Sequence, residues 1–140
     1  MAYDVSLTNI TLVAAEDLSA KQYFGITVDS NGKAAVADDG EMAIGVLQNN
    51  PVAGGEATVA VAGITNVSAG DTIAAGKPVA FDASGEAVVA VAASVDTSDG
   101  GAAADPVVGD FVFGIALATA ADGDIIPVMI THSGFWKATA

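Results

Sequence analysis

A repeated hairpin pattern constrains the fold of this chain more than any other feature of its sequence. Residues 26–37, ITVDSNGKAAVA, and residues 79–90, VAFDASGEAVVA, align without a gap at a spacing of 53 residues (79 − 26). Each copy places two apolar segments around a turn that runs from Asp to Gly. Asp side chains accept hydrogen bonds from nearby backbone N–H groups, and Gly adopts positive φ without steric cost. The repeat therefore predicts a β domain built from two similar hairpin-containing halves.

A second pair of matching segments extends both halves. Residues 42–48, MAIGVLQ, correspond to residues 111–117, FVFGIAL, with Gly45 matching Gly114. A glycine inside each strand predicts a bulge or a close approach of two backbones. This match is shifted by 69 residues rather than 53, so the second half contains sixteen extra residues (69 − 53), which we assign to a surface loop at residues 92–109. The two copies of the repeat then span residues 17–64 and 71–131.

The overall pattern is that of a small all-β domain. Several short apolar segments are separated by turns rich in Gly and Asp, which is typical of an antiparallel β-barrel or a sandwich. Pro127, within the strand-like segment IIPVMI, cannot donate a ladder hydrogen bond and predicts an edge strand or a bulge. Residues 15–23, AEDLSAKQY, are the one candidate for a helical turn, and a loop is an equal alternative.

The N-terminal segment, residues 1–11, alternates the apolar residues Tyr3, Val5 and Leu7 with polar ones. This alternation predicts a strand. It is either an extended arm that adds to the sheet of a neighbouring molecule or an ordinary first strand of its own sheet. We treat residues 1–11 as the arm and residues 12–140 as a single β domain.

The C-terminal segment, residues 131–140, contains the only histidine and the only tryptophan of the chain, His132 and Trp136. Trp136 directly follows Phe135. An aromatic pair near a chain end forms either a lid over the β domain or an anchor on a partner. Phe135 and Trp136 are therefore candidate interface residues, together with Tyr3, Val5 and Leu7.

The chain is strongly acidic. It has seventeen Asp and Glu residues against four lysines and no arginine, a formal net charge of −13. Basic side chains supply most of the affinity for phosphate backbones and for anionic lipids, so we expect neither a nucleic acid nor a membrane partner. The acidic groups would keep a β protein soluble and oppose edge-to-edge pairing of strands. Adaptation to a salty medium and binding to a basic partner are the alternatives.

The sequence contains no arrangement that predicts catalysis or metal binding. His132 has no Gly-x-Ser-x-Gly segment to provide a nucleophile, and a chain with no Cys and one His is poorly equipped for transition metals. Asp96, Asp99 and Asp105 could supply oxygen ligands to calcium, but they lack the spacing of an EF-hand loop. We expect no enzyme activity, no cofactor and no metal.

Taken in order, these motifs resemble a known family. The D-x-x-G hairpin, the AIGVL strand, VAVAG, the AGD and AGKPV segments, FGIAL and finally DGD are similar to the small capsid decoration (cement) proteins of tailed bacteriophages. The resemblance covers roughly Val5–Ile130.

The resemblance implies a β-barrel-like or β-tulip head on the outside of a phage shell. Relatives in that family assemble as trimers at three-fold and quasi-three-fold positions, bridge major capsid proteins and stabilise the shell. The expected partners are therefore the major capsid protein and two further copies of the chain, in the virion. The alternative is a surface-displayed β-sandwich that acts as an adhesion or glycan-binding module.

Overall fold

The computed structural model describes residues 7–93 and 108–137, which contain strands and turns and no helix. Ten strands form two antiparallel five-stranded sheets, which confirms the predicted all-β antiparallel class. The first sheet contains β1 (Thr8–Val13), β2 (Gly25–Val28), β3 (Ala34–Val36), β4 (Gly45–Leu47) and β5 (Glu56–Ala62). The second contains β6 (Ile64–Ser68), β7 (Pro78–Phe81), β8 (Ala87–Val89), β9 (Val108–Ala116) and β10 (Ile125–Lys137).

The two sheets share one topology. Their strand orders are β1-β5-β4-β2-β3 and β6-β10-β9-β7-β8, so each strand of the second sheet lies where the strand five numbers earlier lies in the first. In each sheet, one parallel bridge links the two edge strands without closing the sheet. It joins Ala14 to Ala34 in the first sheet and Ala69 to Ala87 in the second. The duplicated unit therefore begins at β1 and at β6, earlier than the predicted starts at residues 17 and 71.

Part of the N-terminal segment belongs to the first strand of the chain's own sheet. Thr8–Val13 forms β1, which pairs with β5 of the same chain, with Ile10 opposite Val59. The predicted boundary between arm and domain at residue 11 therefore lies inside a strand of the domain. Residues 1–6 lie outside the described residues, as does most of the predicted loop at residues 92–109.

The two hairpin turns have the predicted mechanism. Asp29 Oδ1 accepts hydrogen bonds from the backbone N–H groups two and four residues further on, both at 2.9 Å. Asp82 Oδ1 makes the same two bonds at 2.8 and 3.0 Å. Gly32 and Gly85 complete the turns with φ of 75° and 82°. The side chain and the glycine together fix a tight turn that holds each hairpin in register.

The matching glycines are required by a close backbone approach. A Cβ atom on Gly45 would overlap the carbonyl oxygen of Ala60, and one on Gly114 would overlap that of Met129. Both obstacles are backbone atoms of a neighbouring strand, which cannot move aside without disrupting the ladder. The predicted role of these glycines is confirmed in both halves.

The two halves have separate cores. The core of the first sheet is built from aliphatic side chains, among them Leu18, Ile26, Leu47 and Val59. The core of the second sheet is larger and contains three phenylalanines, Phe81, Phe111 and Phe113, and it also takes in Ala37, Ala43 and Val46 from the first half. The core of the second half therefore packs partly on residues of the first.

One local prediction is wrong, and the structure decides between two alternatives in another. Pro127 lies in β10, between β6 and β9 rather than at an edge. The carbonyl oxygen of Pro127 accepts a hydrogen bond from the Leu117 N–H at 3.0 Å, and Leu117 lies just beyond the end of β9. The N–H that Pro127 lacks would therefore face the point where the hydrogen bonds between β10 and β9 end. Residues 15–23 form bends and turns, which is the loop alternative, and there Leu18 is fully buried and its N–H donates to the Pro51 carbonyl.

Candidate partner-binding surface

A two-stranded extension distinguishes the second half from the first. β5 ends at Ala62, which corresponds to Thr131, whereas β10 continues to Lys137. β9 likewise begins six residues before Gly114, whereas β4 begins at its equivalent, Gly45. We call residues 108–113 and 132–137 the terminal ribbon. Its strands pair antiparallel, with Phe135 opposite Phe111.

A bulge marks the point where the terminal ribbon leaves the repeated fold. The register between β10 and β9 shifts between Ile130 and Gly134, which lie opposite Gly114 and Val112. Within this bulge His132 has φ of 45°, a left-handed conformation that is uncommon for a residue other than Gly. Such a bulge bends the strand and redirects its side chains.

The redirected His132 side chain connects the two halves. Its Nε2 lies 2.9 Å from the carbonyl oxygen of Val61, in β5 of the first sheet. The ring also meets Phe113 edge-on, with centroids 5.3 Å apart. The neighbouring hydroxyl groups of Thr131 and Ser133 bond to each other at 2.7 Å. In this arrangement His132 serves as a structural link between β10 and β5.

Aromatic rings form a continuous row from the core of the second half to its surface. Successive centroid distances are 5.1 Å from Phe81 to Phe113, 5.3 Å to His132, 6.4 Å to Phe111 and 5.4 Å to Phe135. All four distances lie in the range of favourable aromatic pairs. These contacts anchor the terminal ribbon on the core. In the sequence, the row is visible only as the alternation of Phe111 and Phe113.

The predicted aromatic pair lies at the outer end of this row. Phe135 and Trp136 remain 49% and 40% exposed, so a large part of each side chain faces solvent. They border a depression of about 260 Å³ whose other walls are Pro78, Val112, Ser133 and Gly134. Exposed aromatic side chains beside a small depression are the kind of residue that anchors a protein partner.

Of the other predicted interface residues, Leu7 is the one that the described part of the chain includes, and it lies elsewhere. Leu7 is half-buried and lines a separate depression of about 120 Å³ with Tyr23, Ile64 and Pro127. Leu7 therefore does not share a depression with Phe135 and Trp136. Tyr3 and Val5 lie outside the described residues.

A larger groove is a feature that sequence reasoning missed. It has a volume of about 560 Å³ and lies between the first sheet and the terminal ribbon. We call it the apolar groove. Its lining includes Ile10, Met42, Ile44, Val61, Phe111 and His132. These residues come from distant parts of the chain, and no local pattern in the sequence brings them together.

The ionisable groups of the described segments include one carboxyl with a lowered pKa and no metal-binding cluster. Across residues 7–93 and 108–137, no group of three or more His, Asp or Glu side chains could hold a metal ion. Asp96, Asp99 and Asp105 lie outside those residues.

Hydrogen bonds from Ser19 hold the pKa of the Asp17 carboxyl below its ordinary value of 3.8. In the part of the chain that the structure describes, no helix is long and apolar enough to cross a membrane.

Comparison with known proteins finds a similarity of fold alone. No model of a known protein family matches the chain, and no curated protein matches its sequence. The fold is similar to a solved structure, the head fiber gp8.5 N base of bacteriophage phi29, with a TM-score of 0.62 and 18% sequence identity. The similarity covers 92% of this chain and 98% of the phage protein. The two proteins therefore share a fold along nearly their whole length.

Proposed function

We propose that this protein is a structural component of the head of a tailed bacteriophage, bound to the outside of the shell as a decoration (cement) protein. The observation that carries the proposal is the fold similarity over 92% of this chain to a protein described as a head fiber base. The order of the sequence motifs independently resembles the capsid decoration family. Two kinds of comparison thus favour the same class of protein.

The proposed mechanism is multivalent clamping of the shell. Trimers at three-fold and quasi-three-fold positions would each contact several major capsid proteins, so that weak contacts gain from a high effective concentration. The net charge of −13 suits a surface that faces away from packaged DNA. A role of this kind requires no active site and no cofactor.

Two regions are assigned to contacts with the shell or between subunits. The first is the N-terminal segment with Tyr3, Val5 and Leu7, and the second is the exposed pair Phe135 and Trp136. Phe135 is suited to this role because its packing on Phe111 leaves about half of its surface exposed. The edge position of β1 is compatible with strand addition by an arm from a neighbouring molecule.

The decisive experiment is co-sedimentation of the purified protein with cognate phage shells that lack it, in both unexpanded and expanded forms. Saturation at three copies per three-fold position is expected if trimers decorate the shell. Absence of binding to either form of shell would overturn the proposal.

Two variants test the assigned regions. The double variant Phe135→Ser with Trp136→Ser should bind the shell at least about tenfold more weakly, because large aromatic residues dominate protein interfaces. The second variant should lack residues 1–6 only, since removing residues 1–11 would also delete part of β1. Val52→Ser, at an exposed apolar position in another part of the molecule, is the matched control.

An adhesion or glycan-binding module is the alternative function, and it would use the same aromatic pair. Sugars stack on exposed aromatic rings, and Trp136 is the only tryptophan of the chain. Titration of its fluorescence with a panel of sugars separates the two functions. A saturable change with one sugar, combined with no binding to shells, would favour the adhesion module. Turnover of any substrate that is lost in His132→Ala would instead indicate an enzyme.

A further inference from the structure

We propose that the apolar groove is a docking site for a polypeptide segment of a partner, one that carries large apolar side chains flanked by Lys or Arg. The proposal does not depend on which particle or cell carries the segment, because the chemistry of the segment is inferred from the groove and the charges around it. The groove is distinct from the depression beside Phe135 and Trp136.

The apolar part of the proposal rests on what lines the groove. Met42 and Ile10 are 52% and 38% exposed, although both border the groove together with Ile44, Val61 and Phe111. Aliphatic and aromatic side chains left in contact with water at a concave site favour burial by an apolar ligand. At about 560 Å³, the groove is large enough for two or three side chains of a peptide.

The position of the groove favours an extended segment as its occupant. Ile10 belongs to β1, which is one of the two edge strands of the first sheet. A segment whose apolar side chains enter the groove would run beside this edge, where strand addition is possible. The wall on the opposite side is fixed, since His132 is bonded to the Val61 carbonyl and packs on Phe113.

The basic part of the proposal rests on charge complementarity. The turn Asp38-Asp39-Gly40-Glu41 lies at one end of the groove, because the Phe111 N–H donates to the Gly40 carbonyl at 3.1 Å. Asp110 faces the same turn, where a Cβ on Gly40 would lie 2.6 Å from its Oδ1. Four carboxylates, those of Asp38, Asp39, Glu41 and Asp110, thus belong to the segments beside this end, and neither a carboxylate nor a lysine lines the groove itself. Such a field attracts Lys and Arg and opposes a second copy of a chain with net charge −13.

The test is an NMR titration of the uniformly ¹⁵N-labelled full chain with the blocked peptide acetyl-Lys-Leu-Ile-Leu-Lys-amide. Saturable shifts are expected at the backbone amides of Ile10, Met42, Ile44, Val61 and Phe111. Binding should weaken as NaCl is raised from about 0.05 to 0.5 M, because salt screens the acidic end of the groove. The same peptide with Glu in place of Lys should bind at least about tenfold more weakly.

Variants of the protein locate the binding energy. Ile10→Thr with Met42→Thr should weaken binding of the Lys peptide by about tenfold, through loss of apolar contact. Glu41→Gln with Asp39→Asn should weaken it several-fold and reduce its dependence on salt. Val52→Thr and Asp122→Asn, at exposed sites in other turns, are the matched controls and should leave binding unchanged.

Three results would overturn the proposal. Shifts confined to acidic turns, equal for a peptide with Ala in place of Leu and Ile, would indicate unspecific attraction. Groove amides that shift on deletion of residues 1–6, with no peptide present, would assign the groove to the chain's own N-terminal segment. Groove amides that shift on dilution of the protein alone would assign it to a second copy.

Discussion

The two halves of this protein share a topology but differ in what they bury. Phe81, which is 1% exposed, occupies the position that Val28 occupies in the first half, where it is 41% exposed. The Phe81 ring lies against Gly25, where a Cβ atom would be only 2.6 Å from the ring. The equivalent of Gly25 in the second half is Pro78, which borders the depression beside the aromatic pair instead.

One hydrogen bond between the halves has no counterpart in the equivalent place. The Gly85 carbonyl in the turn of the second hairpin accepts the Gly25 N–H at 2.8 Å, and Gly85 is buried. Gly32, at the same place in the first hairpin, is exposed, and no atom lies within 4 Å of where its Cβ would be. Pro78 has no N–H with which to make the reciprocal bond. The two halves thus share a topology but differ in the contacts that equivalent residues make.

The largest expected effect is at the position where the halves differ most. Phe81→Ala should lower the free energy of unfolding by about 4 kcal/mol, since it removes a buried ring and leaves a cavity between the halves. Val28→Ala should lower it by less than about 1 kcal/mol, because that side chain is largely solvated. Urea denaturation of both variants provides the comparison. Equal losses would mean that the halves are equivalent in energy despite their unequal burial.

A second effect should be the same in both halves. Gly45→Ala and Gly114→Ala should each cost about 3 kcal/mol, because the new methyl group overlaps a backbone carbonyl of the neighbouring strand. Gly54→Ala is the control, with positive φ but open space around it, and should cost about 1 kcal/mol. Thermal unfolding of the three variants gives their order of stability. A Gly45 variant as stable as the control would mean that the first sheet adjusts more readily than the second.

The hairpin turns provide an intermediate test. Asp29→Ala and Asp82→Ala each remove an acceptor of two backbone N–H groups. We expect a loss of about 1 kcal/mol for Asp29 and about 2 kcal/mol for Asp82. The second loss is larger because the turn at Asp82 also presents the Gly85 carbonyl to the first half. Hydrogen exchange at the Gly25 amide should rise in the Asp82 variant and remain unchanged in the Asp29 variant.

The smallest expected effect depends on pH. Because the pKa of Asp17 is lower in the folded chain than its ordinary value of 3.8, its ionised form favours the folded state. That contribution is fully present above pH 3.8 and is lost as the pH falls through the lower, folded-state pKa. Asp17→Ala should therefore be slightly less stable than the parent above pH 3.8, and the difference should vanish in stronger acid. A stability difference that persists unchanged to the lowest pH would mean that the bond to Ser19 is not the cause.

The local pattern of the chain determined the elements that depend on neighbouring residues. The Asp-to-Gly turns were predictable because Asp29 and Asp82 bond to amides only two and four residues away. The strand glycines Gly45 and Gly114 were predictable because their repetition at matching places has few other physical explanations. The aromatic character of the C-terminal segment was visible as well, and it led to Phe135 and Trp136 as candidates.

Tertiary structure alone decided the features that depend on distant residues. Whether β1 pairs within its own chain depends on the free edge that β5 offers, which no pattern in residues 1–11 encodes. The link from His132 to Val61 spans 71 positions and needs a bulge that only the packing of two sheets can impose. The apolar groove, likewise, exists because strands far apart in sequence end beside one another. Hydrogen bonds within a turn act over a few residues, whereas burial is decided by the arrangement of the whole chain.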